Sequence, residues 1–242
     1  MEGPSLVILK EQLAFLRRRK VLAVSGNTRI DLNRIRGQTI TDVRTFGKHF
    51  LIVFREFTIR IHFLMFGSYR INERKETPVR LCLVTEKDEV NFYSCAVILV
   101  EDDLDSVYDW SADVMSDEWD AKKARKKLKA NPDRNVGDAL LDQTIFAGVG
   151  NIIKNEVLYR LEIHPESKIG KLPPRKLTAF INEARNYSFD FYEWKKIFVL
   201  SKNWLIYKKK KCRRCNLPVR LEQTGATPRR TFFCEGCQKL YR

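Results

Sequence analysis

Hydrophobic and polar positions change their period along the chain. Leucines recur at three- and four-residue intervals from Leu6 to Leu16, the spacing of an amphipathic helix. Between about residues 37 and 100 the pattern changes to short runs of β-branched and aromatic residues separated by turn residues. The four runs are TITDVRTFGKHFLIVF, FTIRIHFLMF, RLCLVTE and NFYSCAVILV. Several strands with few helices between them predict a β-sandwich or barrel.

The second half of the chain has helical periodicity. It begins at AKKARKKLKA and continues through VGDALLDQTIFAGVGNIIKNEVLYRLEI, where apolar spacing is helical on both sides of a Gly-rich break. A further helix is expected to start at Pro173 and Pro174. Between the halves, residues 101–120 hold nine acids and no base, which is typical of a linker or a domain entrance. We therefore expect an α+β protein with domains at 1–110, 126–206 and 207–242, and a linker at 111–125.

Charge indicates the class of partner. The 242 residues include 45 Lys and Arg against 30 Asp and Glu, a net charge of +15. Eleven basic residues lie in 208–242, against Glu222 and Glu235. Clustered cations gain affinity by displacing counterions from phosphates, so a nucleic acid is favoured over a merely soluble basic protein. No apolar run approaches the roughly 20 residues of a membrane span, and the first residues lack a basic region followed by a long apolar one, so no signal peptide is expected. We expect a monomer, cytoplasmic or nucleoid-associated, with no membrane partner.

The C-terminal region carries two cysteine pairs. Cys212 and Cys215 form one C-x2-C knuckle, and Cys234 and Cys237 form another after eighteen residues. Each knuckle delivers two thiolates from one tight turn, and four thiolates suit a tetrahedral Zn²⁺. Two disulfides are the alternative, disfavoured without a secretory signal. Four protein ligands leave no open position, so the predicted zinc is structural rather than catalytic.

Two further features of the sequence remain, and the first has two interpretations. The Gly-rich break FAGVGN is either a helix end with tight packing or a phosphate site that uses the N–H groups of the next helix. The other two cysteines, Cys82 and Cys95, lie in strand-like apolar runs and are expected to be buried small hydrophobes.

In combination, these stretches resemble the bacterial formamidopyrimidine-DNA glycosylase and endonuclease VIII family of base-excision repair enzymes. The matching segments, in the family's order, are EGP, FGKHFLI, HFLMFG, LLDQTIFAGVGNIIKNE and PRRTFFCEGCQ. The resemblance implies an N-terminal β-sandwich, a helix–two-turn–helix domain and a zinc finger. It also implies a DNA glycosylase and abasic-site (AP) lyase acting on oxidised bases, with double-stranded DNA containing a damaged base or abasic site as partner.

The resemblance assigns roles to single residues. In the family, an N-terminal amine attacks C1′ and forms a Schiff base; its position here is Met1, and Glu2 matches the carboxylate that protonates the ring oxygen. Lys48 matches a hairpin lysine that assists catalysis, although a solvated turn lysine is its plain interpretation. The implied DNA-binding residues are Leu64, Met65 and Phe66 as a wedge, with Asn151, Glu156 and Arg229. Without the resemblance, the wedge would be strand core and Glu156 helix surface.

The chain departs from the family at residue 1. The family begins Met-Pro-Glu and loses its Met, whereas Glu2 follows Met1 directly here, so Met1 is expected to be retained. Three interpretations follow: an enzyme weakened by loss of Pro, an enzyme that uses the Met1 amine, or a homologue that binds damaged DNA without cutting it. A ribosomal or transcription zinc-ribbon protein explains the finger but not the N-terminal match. Lesion preference is open, because EGP favours oxidised pyrimidines whereas the wedge Met is typical of oxidised-purine enzymes.

Overall fold

The computed structural model describes residues 1–242, which form two compact units. The first unit contains Met1 and Ser5–Tyr108, and the second contains Glu2–Pro4 and Asp109–Arg242. The region with the paired cysteines therefore belongs to the same unit as the helices. None of the helices combines the length and the apolar character needed to cross a membrane.

The first unit is built on one antiparallel sheet of six strands. Its elements are helix α1 (Gly3–Gln12), strands β1 (Ala23–Ser25), β2 (Asp42–Phe46), β3 (His49–Val53), β4 (Thr58–Ile71), β5 (Leu81–Val84) and β6 (Glu89–Val100), and the short helix α2 (Leu104–Val107). The strand order is β1-β5-β6-β4-β3-β2. The leucines of the predicted amphipathic stretch, from Leu6 to Leu16, are fully buried in the core of this unit. The helical spacing thus marks the core-facing side, as predicted.

The strand-rich region is confirmed, with two differences in detail. The first predicted run contains two strands, β2 and β3, because Gly47 and Lys48 form a tight turn between them. The short edge strand β1 was not predicted, since three residues are too few for a periodic pattern. Cys82 and Cys95 are buried in β5 and β6, and burial raises the pKa of both thiols. They are small core residues, as expected.

The second unit is helical and ends in a β-hairpin. Its elements are helices α3 (Ala121–Lys129), α4 (Val136–Leu141), α5 (Asn151–Arg160) and α6 (Pro174–Lys196), followed by strands β7 (Arg220–Thr224) and β8 (Arg229–Phe233). The core of this unit includes Phe146 before α5 and Phe180 on α6, whose rings meet edge to face. Pro174 occupies the first turn of α6, where proline costs no hydrogen bond.

The acidic stretch, residues 101–120, is folded rather than extended, whereas the linker expected at 111–125 stays a prediction. Leu104 and Tyr108 are buried in this stretch, and so is Val114. Asp120 caps α3 by accepting hydrogen bonds from the backbone N–H groups of residues 122 and 123. Clustered acids here serve turns and helix caps, which composition alone cannot distinguish from a solvated linker.

Helix α6 ends in an unusual way. The Val199 N–H donates to the Trp194 carbonyl at 2.9 Å, and Phe198 between them has a φ of 58°. Glycine normally occupies this left-handed position. Phe198 is also 92% exposed, so neither the backbone conformation nor the side chain is stabilised by burial.

Candidate active site and nucleic-acid interface

The apolar residues 64–66 project from the sheet. Strand β4 pairs with β6 as far as Phe63 and resumes at Ser68, so the residues between leave the ladder. The three side chains are 51%, 81% and 82% exposed. Gly67 permits the bulge, because a Cβ there would lie 2.8 Å from the Phe63 Cβ. Burial in a strand core is excluded, and a projecting wedge remains the prediction for these residues.

Lys48 lies in the turn between β2 and β3. Gly47 opens that turn with a φ of 53°, a conformation that favours glycine. The register places His49 opposite His62 on β4. Burial lowers the pKa of His62, and so do the charges of the chain's amino terminus, Lys48 and Arg60. Lys48 and the amino terminus therefore act on one imidazole, which sequence reasoning did not select.

The second histidine of this pair, His49, is neutral near pH 7. Burial lowers the pKa of His49 to about 4, with smaller contributions from Arg60 and His62. The His49 Nδ1 lies 3.2 Å from the Tyr108 hydroxyl oxygen. No periodic or charge signal marks these histidines, because their proximity comes from the register of β3 on β4.

Glu2 is held at the start of α5. Its carboxylate accepts hydrogen bonds from the Ile152 N–H at 2.7 Å and the Ile153 N–H at 3.3 Å. The Gly3 N–H donates to the Gly148 carbonyl at 2.9 Å. A carboxylate at a helix N-terminus satisfies unpaired N–H groups and complements the positive end of the helix dipole. Residues 2 and 3 are therefore held within the second unit, to which they belong.

This arrangement decides between the interpretations of the Gly-rich break. A Cβ on Gly150 would lie 2.6 Å from Glu2 Oε1, so glycine is needed for the carboxylate to reach the helix. The Ile152 and Ile153 N–H groups are already bonded to Glu2. A phosphate site built from these two N–H groups is therefore excluded. Gly150 serves the close approach of the chain's own N-terminal segment.

Strand β8 is hydrogen-bonded along one side of α5. Asn151 donates from Nδ2 to the Arg230 carbonyl at 2.9 Å, and Asn155 accepts from the Phe232 N–H at 2.6 Å. Arg229, the exposed first residue of β8, adjoins this contact. The fold thus brings Asn151 next to the strand that carries Arg229, although the two are far apart in sequence.

Glu156 is buried rather than on the solvent-facing surface of its helix, contrary to expectation. Its side chain is fully buried, and its carboxylate accepts hydrogen bonds from the backbone N–H groups of Leu205, Ile206 and Tyr207 at 2.8–3.0 Å. A direct contact between this carboxylate and DNA does not fit that position. The prediction is corrected: Glu156 holds the segment that leads into the cysteine region.

The four C-terminal cysteines converge. Their Sγ atoms all lie within 4.8 Å of one another, with Cys212 to Cys237 at 3.7 Å and Cys215 to Cys234 at 3.3 Å. Burial and the neighbouring sulfurs raise the pKa of Cys234 and Cys237. Crowded sulfur atoms of this kind are a ligand set for a metal ion. The predicted grouping of the four cysteines into one site is confirmed.

Two family models match most of the chain. The formamidopyrimidine-DNA glycosylase N-terminal domain matches residues 11–95, and the formamidopyrimidine-DNA glycosylase H2TH (helix–two-turn–helix) domain matches residues 111–187. The chain belongs to the formamidopyrimidine-DNA glycosylase and endonuclease VIII family. The family resemblance of the sequence is therefore confirmed. The second match also includes the acidic stretch from residue 111.

Curated relatives come from animals and bacteria. Human endonuclease 8-like 3 is 32% identical over 218 residues, which are 86% of this chain and 36% of that protein. The DNA-(apurinic or apyrimidinic site) lyase Nei2 of Mycolicibacterium smegmatis is 28% identical over 84% of this chain and 83% of its own length. The chain thus spans little more than a third of the length of the endonuclease 8-like 3 relatives.

Solved structures share the complete fold. A viral DNA glycosylase superposes with a TM-score of 0.85 at 19% identity, covering 99% of this chain and 100% of that chain. Lactococcus lactis formamidopyrimidine-DNA glycosylase, solved non-covalently bound to DNA containing an AP site, gives 0.85 at 20% identity with the same coverage. These similarities confirm the α+β class with an N-terminal sheet, a helix–two-turn–helix region and a C-terminal cysteine cluster.

Proposed function

We propose that this chain is a DNA glycosylase and AP lyase that removes oxidised bases from double-stranded DNA. The observation that carries the proposal is the fixed position of Glu2 and Gly3. Chain termini are usually frayed, whereas these residues make three hydrogen bonds to the segment around α5. A reactive group must be held by rigid elements to be productive, and the amine of the preceding residue, Met1, is attached to such an anchor.

The names of relatives, and the DNA bound in related structures, support damaged or abasic-site DNA as the substrate class. Nei2 is named as a lyase of apurinic or apyrimidinic sites, and the Lactococcus lactis structures hold abasic-site or damaged-base DNA. The wedge at 64–66 supports the same proposal, because chemistry at C1′ requires the nucleotide to leave the stack. Inserted apolar side chains offset an unstacking cost of a few kcal/mol. The protein would act as a monomer on cellular DNA, in association with the nucleoid.

Positive groups would hold the DNA strand. Arg229 is exposed beside Asn151, and both are proposed to bind backbone phosphates. Lys48, in the turn before β3, is proposed to contact the lesion strand near the amine. Such contacts position the duplex without reading its sequence, which suits an enzyme that recognises damage.

The cysteine cluster fits structural zinc. Four thiolates about 2.3 Å from one Zn²⁺ in a tetrahedron would lie about 3.8 Å apart, close to the observed Sγ separations. Cys212, Cys215, Cys234 and Cys237 would hold the ion. The bound ion would stabilise a short hairpin that has little core of its own.

The proposed chemistry begins with the neutral amine of Met1. Its lone pair attacks C1′, and the damaged base leaves with the electron pair of the glycosidic bond. The Glu2 carboxylate takes a proton from the amine after its attack and passes it to the ring oxygen as the C1′–O4′ bond opens, which leaves the Schiff base. Removal of a C2′ proton then expels the 3′ phosphate. An α-amine suits the attack, since its ordinary pKa of roughly 7.7–8.0 leaves a useful neutral fraction near pH 7.

Borohydride trapping tests this proposal. The full chain is incubated with a duplex containing one abasic site and sodium borohydride, which reduces a Schiff base to a stable covalent adduct. We expect an adduct whose yield falls in Glu2→Gln and rises in Met1→Pro, because proline supplies a more nucleophilic secondary amine. Glu11→Gln, a change of the same kind on the exposed side of α1, is the matched control.

The outcomes separate the candidate functions. An adduct with Met1→Pro alone would identify a disabled enzyme of this family. No adduct with either chain, under conditions where both bind the duplex, would overturn the enzyme proposal in favour of a damaged-DNA-binding protein.

A further inference from the structure

Lys154 is a buried cation that the proposed chemistry does not use. It lies on α5 with 1% of its surface exposed, and no other lysine or arginine is buried. Its ammonium donates one hydrogen bond, to the Thr231 hydroxyl at 2.8 Å, and it forms no ion pair. Buried charges in proteins are normally paired, because an isolated ammonium loses its hydration without compensation. An anion that arrives from outside the chain would supply the missing partner.

The charged groups that act on Lys154 either accept hydrogen bonds from other residues or repel its ammonium. Asp138 on α4 accepts from the Ala226 N–H at 3.1 Å, and Glu2 accepts from the start of α5. Arg229 on β8 carries a charge of the same sign as Lys154. Burial, with a contribution from Arg229, lowers the pKa of Lys154 to about 8, although Asp138 and Glu2 act in the opposite direction.

Lys154 is hydrogen-bonded to the β7–β8 hairpin. Thr231, its partner, is itself buried and lies two residues after Arg229 on β8. The Thr231 hydroxyl is also 2.7 Å from the Thr224 hydroxyl on β7. Lys154 thus lies behind the strand whose exposed first residue, Arg229, is the proposed phosphate ligand.

We propose that Lys154 is a second, buried cation of the Arg229 phosphate site, and that binding of a DNA phosphodiester there takes up a proton at Lys154. The proposal rests on the proposed function in one respect, that DNA binds at this face. A phosphate beside Arg229 offsets the repulsion that Arg229 exerts on the Lys154 ammonium and adds to the attraction of Asp138 and Glu2, so the charged form is favoured in the complex. Binding and protonation are then linked, and each strengthens the other.

The sign of the linkage follows directly. Below about pH 7 the side chain is charged with or without DNA, so affinity is independent of its titration. Above about pH 8 the free protein has lost the proton that the complex retains, so affinity falls as pH rises. The steepest slope for one linked proton is tenfold in affinity per pH unit. A purely structural lysine that only bonds Thr231 produces no such slope.

Equilibrium binding to a non-cleavable duplex tests the proposal. The probe is a short duplex with a tetrahydrofuran abasic-site analogue, measured by fluorescence anisotropy from about pH 7 to about pH 9.5 at constant salt. We expect the wild-type affinity to fall by up to about tenfold per pH unit above pH 8. Lys154→Met should bind more weakly at pH 7 and lose this slope, whereas Lys154→Arg should stay tight and flat, because guanidinium remains charged. Lys87→Met, in an exposed turn between β5 and β6, should match the wild type.

Calorimetry of the wild-type protein covers the case in which a Lys154 variant fails to fold. Titrations at about pH 8.5 in buffers of different ionisation enthalpy count the protons taken up on binding. We expect net uptake in the wild type and less in Arg229→Ala, which lacks the group that seats the phosphate. Parallel pH profiles for wild type and Lys154→Met, or equal proton uptake with and without Arg229, would overturn the proposal. If DNA binding is proton-linked but no borohydride adduct forms, this inference is supported and only the proposed enzyme activity is rejected.

Discussion

Replacing Gly150 with alanine tests how the start of the chain is held. Gly150 precedes α5 with φ −120° and ψ −165°, an extended conformation that alanine adopts without strain. The added methyl would nevertheless lie 2.6 Å from Glu2 Oε1, well inside van der Waals contact. Since the following turn of α5 is buried, the Glu2 side chain must leave its position. The perturbation therefore acts through one identified contact.

The expected cost follows from the bonds that are lost. Glu2 gives up two hydrogen bonds, from Ile152 and Ile153, to an ionised carboxylate. Such bonds contribute about 1.5–3 kcal/mol each, and water recovers part of that for the expelled groups. Loss of a negative charge from the helix N-terminus removes about 0.3–1 kcal/mol more. We expect Gly150→Ala to lower the free energy of unfolding of the second unit by about 2 kcal/mol.

Urea unfolding followed by tryptophan fluorescence measures this change. All four tryptophans, at positions 110, 119, 194 and 204, lie in the second unit. In a Glu2→Ala background the methyl has no carboxylate to displace, so the same substitution should be nearly neutral there. A similar cost in both backgrounds would refute the reasoning. The borohydride adduct should also form about tenfold more slowly in Gly150→Ala, because a displaced anchor misplaces the amine.

Three further predictions concern the second unit. Arg229→Ala should weaken binding to all duplex sequences alike, because one phosphate contact is lost. The slope of log affinity against log salt concentration should fall by about one. Filter binding over a salt series measures this slope, and an unchanged slope would exclude the contact. Chelation of the metal should unfold the β7–β8 hairpin and weaken DNA binding, monitored by circular dichroism and anisotropy, and unchanged affinity would contradict the finger's role. Phe198→Gly should raise the free energy of unfolding, measured in urea, by up to about 1 kcal/mol, because glycine relieves the left-handed strain. The control Ile197→Gly, at an ordinary φ of −101°, should not stabilise the protein.

Local patterns predicted the elements whose causes are local. The leucine spacing from Leu6 to Leu16 marks the buried side of α1 and of the turn that follows it, because side chains three and four apart share a helix face. The cysteine spacing predicted a four-sulfur cluster because each C-x2-C turn brings two thiols together. Alternating apolar runs located the sheet for the same kind of reason. In each case the interacting residues are few positions apart or are joined by a fixed turn geometry.

Helix α5 shows where this reasoning fails. Residues 153–159 are all buried, although they include Lys154, Asn155 and Glu156. A polar stripe of this kind predicts a solvent-facing side in an isolated helix. Here two other segments, strand β8 and residues 205–207, supply the hydrogen-bond partners of these three side chains. The partners lie about 50 to 80 residues away in the sequence, beyond the reach of any periodic signal.

The sequence by itself determined the family, the sheet and helix content and the cysteine cluster, because motif spacing and periodicity encode them. The tertiary structure alone decided that Gly150 accommodates Glu2, that Glu156 is buried, and that Lys154 bonds Thr231 on the strand that carries Arg229. These facts depend on close approach between distant segments, where one missing Cβ or one unpaired charge decides the role of a residue.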